Sequence, residues 1–300
     1  MKVSIITPSF NHGEFIERTI KSVLAQNYEL EYVVMDGGSV DQTLDILNRY
    51  ENQLSWKSEA DNGQSHAINK GLQMTSGDVI GWLNSDDIYY PDTVKKVCQF
   101  FKDHPEVDVV YGDSCLIDRV DNKVGYYPTE SWNLERLKVR CFLSQPSTFF
   151  RRRAVDKHGL LEESLQFCMD YEYWLRLGLR GVKFAYLPQM LAGARVYNET
   201  KSFRCCLEAS LEANNLLKKE LGYIPSERIV SYAGAKIKSS SGLSYPNPKF
   251  IMAVWMDLWA TTGLYYEGSA RVIAWLAAQQ AMLKEFLRRA FDLLVKKFRY

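Results

Sequence analysis

The chain has little of what would place it in several familiar protein classes. Its 300 residues hold six cysteines, Cys98, Cys115, Cys141, Cys168, Cys205 and Cys206. That is too few for a disulfide scaffold, and no C-x-x-C pair gives the usual structural zinc spacing. The four histidines form no H-x-x-x-H or H-E-x-x-H pattern, so a zinc site is not expected. Neither sign of charge dominates. With 37 basic and 36 acidic side chains the net charge is +1, which gives no general argument for a nucleic-acid partner. The most apolar stretch, residues 250–266, is interrupted by Asp257 and falls short of the ~20 residues a membrane-crossing helix needs. The apolar run before Pro8 is too short for a secretory signal, so a cytoplasmic protein is expected. A G-x-x-x-x-G-K-[ST] loop and a G-x-G-x-x-G turn after the first strand are both missing. Their absence disfavours P-loop kinases and dinucleotide dehydrogenases.

What is present is a foldable chain, 46% hydrophobic, with two regimes. Up to about Gly112, short apolar runs alternate with helical patterns. Strands are expected at Lys2–Thr7, Glu31–Met35, Leu54–Ser58, Asp78–Leu83 and Val107–Tyr111. Helices are expected at Gly13–Gln26, Asp41–Tyr50 (with Asp41 as N-cap), Gly63–Met74 and after Pro91. Continuous apolar strands alternating with helices predict an α/β fold with a parallel sheet covered on both faces. From Asp113 the pattern is mixed, with a strand at Ser147–Arg151 and helices at Tyr171–Leu179 and Ser202–Leu221. The expected organisation is one catalytic domain over 1–221, in halves 1–112 and 113–221. A linker over 222–250, Ser/Gly/Pro-rich at 236–249, and a helical extension over 251–300 complete it.

Ligands in open α/β sheets bind beyond the carboxyl ends of the strands. Four successive strand ends here carry Pro8-Ser9-Phe10-Asn11, Asp36-Gly37-Gly38-Ser39, Glu59-Ala60-Asp61-Asn62-Gly63 and Asn84-Ser85-Asp86-Asp87. Adjacent Asp86 and Asp87 repel one another unless a hard divalent cation accepts their oxygens, an arrangement suited to nucleotide phosphates. The plainer reading is that one of them caps the following helix, which needs only one carboxylate.

The segments TPSFN, VVMDGGSVDQT, SEADNGQSHAINKG, GDVIGWLNSDD, QPSTFFRR and MDYEYWLRL, in this order across about Lys2–Tyr197, resemble glycosyltransferase family 2. The branch most resembled assembles bacterial capsule, exopolysaccharide and O-antigen. The resemblance implies a GT-A fold, a Rossmann-like nucleotide-binding sheet flanked by helices. It implies an inverting enzyme that uses a nucleotide-sugar donor, with uridine diphosphate as the expected carrier, Mg2+ or Mn2+ as cofactor, and a saccharide or lipid-linked saccharide acceptor. It would place Pro8, Ser9, Asp36, Asp61, Asn62 and Asn69 around the nucleotide. Asp86 would lie at the ribose or metal shell and Asp87 on the metal. Asp170 would be the catalytic base, with Trp174 and Arg176 under the acceptor and diphosphate. Three departures stand out: Asn84 where many relatives carry Asp, Met169 where Glu more commonly precedes the base, and no His in Arg195-Val196-Tyr197-Asn198.

The chemistry so implied is direct displacement at the anomeric carbon. A carboxylate takes the acceptor proton and a cation offsets charge on the leaving diphosphate. Asp170 could equally cap the helix it begins. Two other classes compete: a catalytically silent nucleotide-sugar binding module, and a sugar nucleotidyltransferase, which would show a Gly-rich basic loop after the first strand. In the tail, Leu283, Leu287, Ala290, Leu294 and Phe298 form one helical stripe, and residues 282–300 carry six basic and two acidic side chains. That segment reads either as a helix on an anionic membrane surface, peripheral at the inner face of the cell membrane, or as one packed on protein. Oligomeric state is not legible.

Overall fold

A computed structural model describes residues 1–200 and 204–297, and for 290–297 the backbone alone. The chain divides into two compact units, Met1–Leu137 with Cys141–Phe203, and Lys138–Arg140 with Arg204–Tyr300.

The first unit follows the alternation of the sequence. Its elements are β1 (Val3–Ser9), α1 (Ile16–Leu24), β2 (Leu30–Asp36), α2 (Thr43–Arg49), β3 (Ser55–Ser58), α3 (Gln64–Met74), β4 (Val79–Trp82), β5 (Ile88–Tyr89), α4 (Thr93–Asp103), β6 (Val109–Ile117), β7 (Lys123–Tyr126), α5 (Leu134–Val139), β8 (Thr148–Arg151), α6 (Arg152–His158), α7 (Met169–Leu179) and β9 (Phe184–Arg195). The sheet order is β3-β2-β1-β4-β8-β6-β9-β5, with β7 beside β6. The strands β3, β2, β1 and β4 run parallel, and β8 is antiparallel to both its neighbours. Every residue of β1 and β4 is buried, as a sheet covered on both faces requires. One core gathers Val3, Ile5, Val34 and Phe149 of the sheet with Ile16, Ile20, Val94 and Phe101 of the helices.

β9 is the longest strand, at twelve residues, and was not expected from sequence. Its middle is partly exposed and its register against β6 shifts twice, near Gly112 and Asp113. Neither apolar continuity nor clean alternation marks it, so the pattern that finds β1 and β2 misses it. It matters because it carries Arg195 and Tyr197 to the edge of the sheet where β1, β2 and β4 end.

The second unit contains α8 (Cys206–Leu221), α9 (Ser226–Ser241), α10 (Pro248–Gly263) and α11 (Gly268–Lys297). Its core is Ile224, Ile229, Ala233, Val254, Leu258, Tyr265 and Ala278. Two expectations change. The helix ending at Leu221 belongs to this unit, where Asn214 and Lys218 both bond to Tyr265. Most of the expected linker is α9, which buries Ile229, Tyr232 and Ala233. Serines and glycine at its end hid this spacing, and only residues 222–225 and 242–247 remain connectors.

Close approaches pin the parallel strands. A Cβ on Gly77 would lie 2.6 Å from the backbone nitrogen of Ser4 and 2.4 Å from its Oγ, which accepts from the Gly77 N–H. Gly77→Ala is therefore expected to lower unfolding free energy by about 1–3 kcal/mol in urea titrations.

Candidate active site

The loops after β1, β2, β3 and β4 are tied into one edge by side chains acting as acceptors for backbone donors. Asp36, 2% exposed, receives four donors: the N–H groups of Gly38 and Ser39 and the hydroxyls of Ser39 and Ser58. Ser39 Oγ in turn accepts from the N–H of Asn11, whose Oδ1 accepts from Val40. Asn11 sits at φ 52, a left-handed conformation that asparagine tolerates better than most residues. The Ser9 carbonyl takes the Gly37 N–H, and Pro8 and Ser9 are buried within β1. Phe10, next along, is 59% exposed at the rim.

Asp61 Oδ1 accepts from the Gly63 N–H, while a Cβ on Gly37 would meet Asp61 Oδ2 at 2.8 Å. Only glycine lets these two loops approach so closely. Asn62 is exposed and its N–H donates to His66 Nδ1. Asn69 is buried and exchanges two hydrogen bonds with the Leu161 backbone, also donating to Glu163. These bonds fasten the 160s loop to α3.

The Asn84–Asp87 turn is the most heavily braced part of the edge. Thr19 Oγ1 lies 2.9 Å from the Ser85 carbonyl and 2.7 Å from that of Asp87, donating to one at a time. His12 Nδ1 is 2.6 Å from Ser85 Oγ. Asn84 Oδ1 accepts from Gln64 and Trp82, and its Nδ2 faces Asp87 Oδ2 at 3.4 Å. Asp87 is 5% exposed, and its Oδ1 accepts the Arg195 N–H at 2.7 Å. Burial, and then the neighbouring Asp86 charge, push its carboxyl well above the usual carboxylate range. Asp86 is only partly buried. Its Oδ2 accepts from the Tyr197 hydroxyl at 3.0 Å, and Oδ1 has no partner among the described residues.

Arg195 and Tyr197 are the residues that sequence reasoning missed. The Arg195 side chain, fully buried, donates to the Asp86 and Asp118 carbonyls and to Asp121 Oδ1. The Tyr197 ring packs 5.0 Å from Phe15 and 5.2 Å from the Arg119 guanidinium. Burial and the carboxylates push the Tyr197 phenol upward, keeping it a donor. The available signal was the same strand-end rule, applied to a strand that was not foreseen.

Asp170 begins α7. Its Oδ1 accepts the Tyr171 N–H, and burial pushes its carboxyl up to about 6 against that stabilising bond. The loop before it is tied to α3 through Leu161 and Glu163, and a Cβ on Gly63 would lie 3.6 Å from Gln166. The two other residues expected on α7 are corrected. Trp174 is 0% exposed and packs against Phe150 and Tyr173, so it belongs to the core and presents no face to an acceptor. Arg176 is paired with Glu172 at 2.7 Å and donates to the His158 and Leu160 carbonyls. Its guanidinium holds the α6–α7 connection and is not free for a diphosphate.

The glycosyl transferase family 2 model matches residues 4–159, more than half the chain, and the chain belongs to that family. An uncharacterized glycosyltransferase of Rickettsia typhi is 29% identical over 210 residues, covering 65% of this chain and 64% of the relative. Another, from Nostoc, is 24% identical over 303 residues, covering 92% and 89%. The chain spans less than two thirds of the length of the Rickettsia relatives. Among solved structures, Staphylococcus aureus TarS 1-349 in complex with UDP-GlcNAc superposes with TM-score 0.62 at 20% identity, covering 95% of this chain and 89% of that one. The mannosyltransferase PcManGT of Pyrobaculum calidifontis, in complex with GDP-Man and Mn2+, gives 0.53 at 17%, covering 99% and 79%. The fold is GT-A, with C-terminal helices added.

The raised Asp170 carboxyl has a consequence for stability. Ionising a group with folded pKa near 6 and unfolded value near 3.8 costs folding free energy above pH 6 and nothing below about pH 4. Asp170→Asn is expected to melt higher than the parent at pH 7. The difference should shrink between pH 6 and 4, as followed by thermal denaturation.

Proposed function

We propose that this chain transfers a sugar, with inversion, from a nucleoside diphosphate donor to an acceptor hydroxyl on a saccharide or lipid-linked saccharide. The expected carrier is uridine diphosphate. One observation carries the reading: at the carboxyl edge of the sheet, the partly buried Asp86 has one oxygen gripped by Tyr197 and the other without a partner among the described residues. The names of the relatives and the nucleotide sugars in the structural neighbours support it.

The donor set suits Mg2+ or Mn2+, because hard carboxylate oxygen is their preferred ligand. No group of three or more His, Cys, Asp or Glu side chains able to hold a metal occurs among the described residues. Asp86 would therefore hold the cation together with diphosphate oxygens and water, and the cation would offset charge on the leaving diphosphate. Asp87, which we first expected on the metal, is better suited to hold the turn. It is buried and bonded to the Arg195 backbone. Asp36 has the same character toward the nucleobase pocket, since its four donors fix the loop that would line it. Phe10 offers an exposed aromatic face for the base, with Asp61 and Asn62 on the opposite loop.

Asp170 would take the acceptor proton. A carboxylate near pKa 6 is a stronger base than an ordinary aspartate yet ionised at neutral pH, which suits general-base work. Its presence favours an enzyme over a silent binding module.

The experiment is transfer and calorimetry with UDP-GlcNAc, UDP-glucose and GDP-mannose in the presence of Mn2+ or Mg2+. Asp170→Asn should reduce transfer by at least ~100-fold with donor affinity retained, and parent activity should rise with pH through about 6. Normal turnover by that variant refutes the base. Tyr197→Phe should weaken Mn2+-linked UDP binding roughly ten-fold while leaving metal-free UDP binding unchanged. Equal losses with and without Mn2+ would show that Tyr197 acts only through folding.

A further inference from the structure

The second unit leaves an apolar surface that its own core does not use. α10 turns Val254, Leu258 and Thr261 inward. Its opposite side carries Met252, Trp255, Met256 and Trp259, between 44% and 69% exposed. The spacing of three and four places these side chains on one helical face. α11 repeats the arrangement with Val272, Ile273, Leu276, Leu283 and Leu287, all exposed, and Leu264 is exposed in the turn between the helices. The two helices meet where the ring centroids of Trp259 and the partly buried Trp275 lie 5.8 Å apart, with the Arg271 guanidinium over Trp259. Contiguous apolar surface of this kind marks an interaction site.

Charge selects the occupant. Asp257, the sole carboxylate of α10, points inward to Lys236 and Thr261. The outward face of that helix keeps only Lys249 as a charged residue. Along the turn and α11 to residue 289, Arg271, Lys284, Arg288 and Arg289 stand against Glu267 and Glu285, and Glu285 is already paired with Arg288 and Arg289. A second copy seated on this face would bring like charges together, whereas an anionic surface would neutralise them. No described helix is long and apolar enough to cross a membrane.

We infer that α10 and α11 as far as Arg289 lie on anionic lipid bilayers, with Trp255, Met256 and their neighbours at the acyl boundary and the basic side chains among the headgroups. This extends the contact expected of the basic tail to an earlier segment, α10 and the start of α11. Of the tail residues, Ala290, Leu294 and Lys296 have side chains outside the described set, and Phe298 and Arg299 lie outside it altogether. The inference is independent of the donor chemistry proposed above.

The test is co-sedimentation of the full chain with vesicles of phosphatidylcholine alone and of phosphatidylcholine with phosphatidylglycerol. Binding to the anionic vesicles should be at least ~10-fold tighter. The Trp255→Ser, Met256→Ser double variant should lose at least ~10-fold of it, with melting temperature and UDP affinity unchanged. Absence of vesicle binding, equal binding to both compositions, or full binding by the double variant would each overturn the inference. So would a concentration-dependent dimer that the double variant abolishes, since that assigns the face to a second copy.

Discussion

Two neighbouring carboxylates have to be kept at one turn, and much of the catalytic edge is arranged around that requirement. Asp87 is buried beside Asp86, so its ionised form is opposed by lost hydration and by like charge. The opposition is met piecemeal. Arg195 gives its backbone N–H to Asp87 and its guanidinium to the Asp86 carbonyl, Thr19 fixes the turn carbonyls from α1, and Tyr197 holds one oxygen of Asp86. Asn84 fits the same account. Its Oδ1 accepts from Gln64 and Trp82 while its amide nitrogen faces Asp87. An aspartate there could accept but not donate, and would add a third charge to the turn. The departure from the commoner family pattern thus lowers the electrostatic cost of this version of the site.

The parallel half of the sheet was legible because its physics is local. β1 and β4 are buried on both faces and read as apolar runs, and α3 was located from Gly63 to Met74 by its boundaries alone. The strand-end rule then gathered Ser9, Asp36, Asp61 and Asp86 at one edge. β9 was not legible, because its exposure is irregular and its register against β6 slips. With it went Arg195 and Tyr197, whose partners at the Asp86–Asp87 turn lie more than a hundred residues earlier in the chain. α9 was hidden for a compositional reason: the serines that close it are the same residues that usually announce a loop.

The misassigned residues share a cause. Motif position says which segment reaches the site, but the direction of a side chain is set by packing. Trp174 and Arg176 sit on the right helix, yet Phe150 and Tyr173 enclose one, and Glu172 with two carbonyls occupies the other. In the same way Asp86 and Asp87 are neighbours in sequence with opposite surroundings. The spacing could not decide between them, whereas burial and the number of donors do.

That donor count separates scaffold from chemistry across the whole edge. Asp36 is buried with four donors around its two oxygens, and a carboxylate so satisfied has little capacity left for a ligand. Burial outweighs the backbone N–H groups of Tyr171 and Asp170 itself, which leaves the proton affinity of Asp170 high. Supplying Asp170 with the donors that Asp36 enjoys would stabilise its charge and the fold together. It would also make a poorer base. Asp170 lies in the first turn of α7, one residue past its start and not at its N-cap, which is Cys168; a carboxyl there with so few donors is what the proton-transfer role proposed above requires.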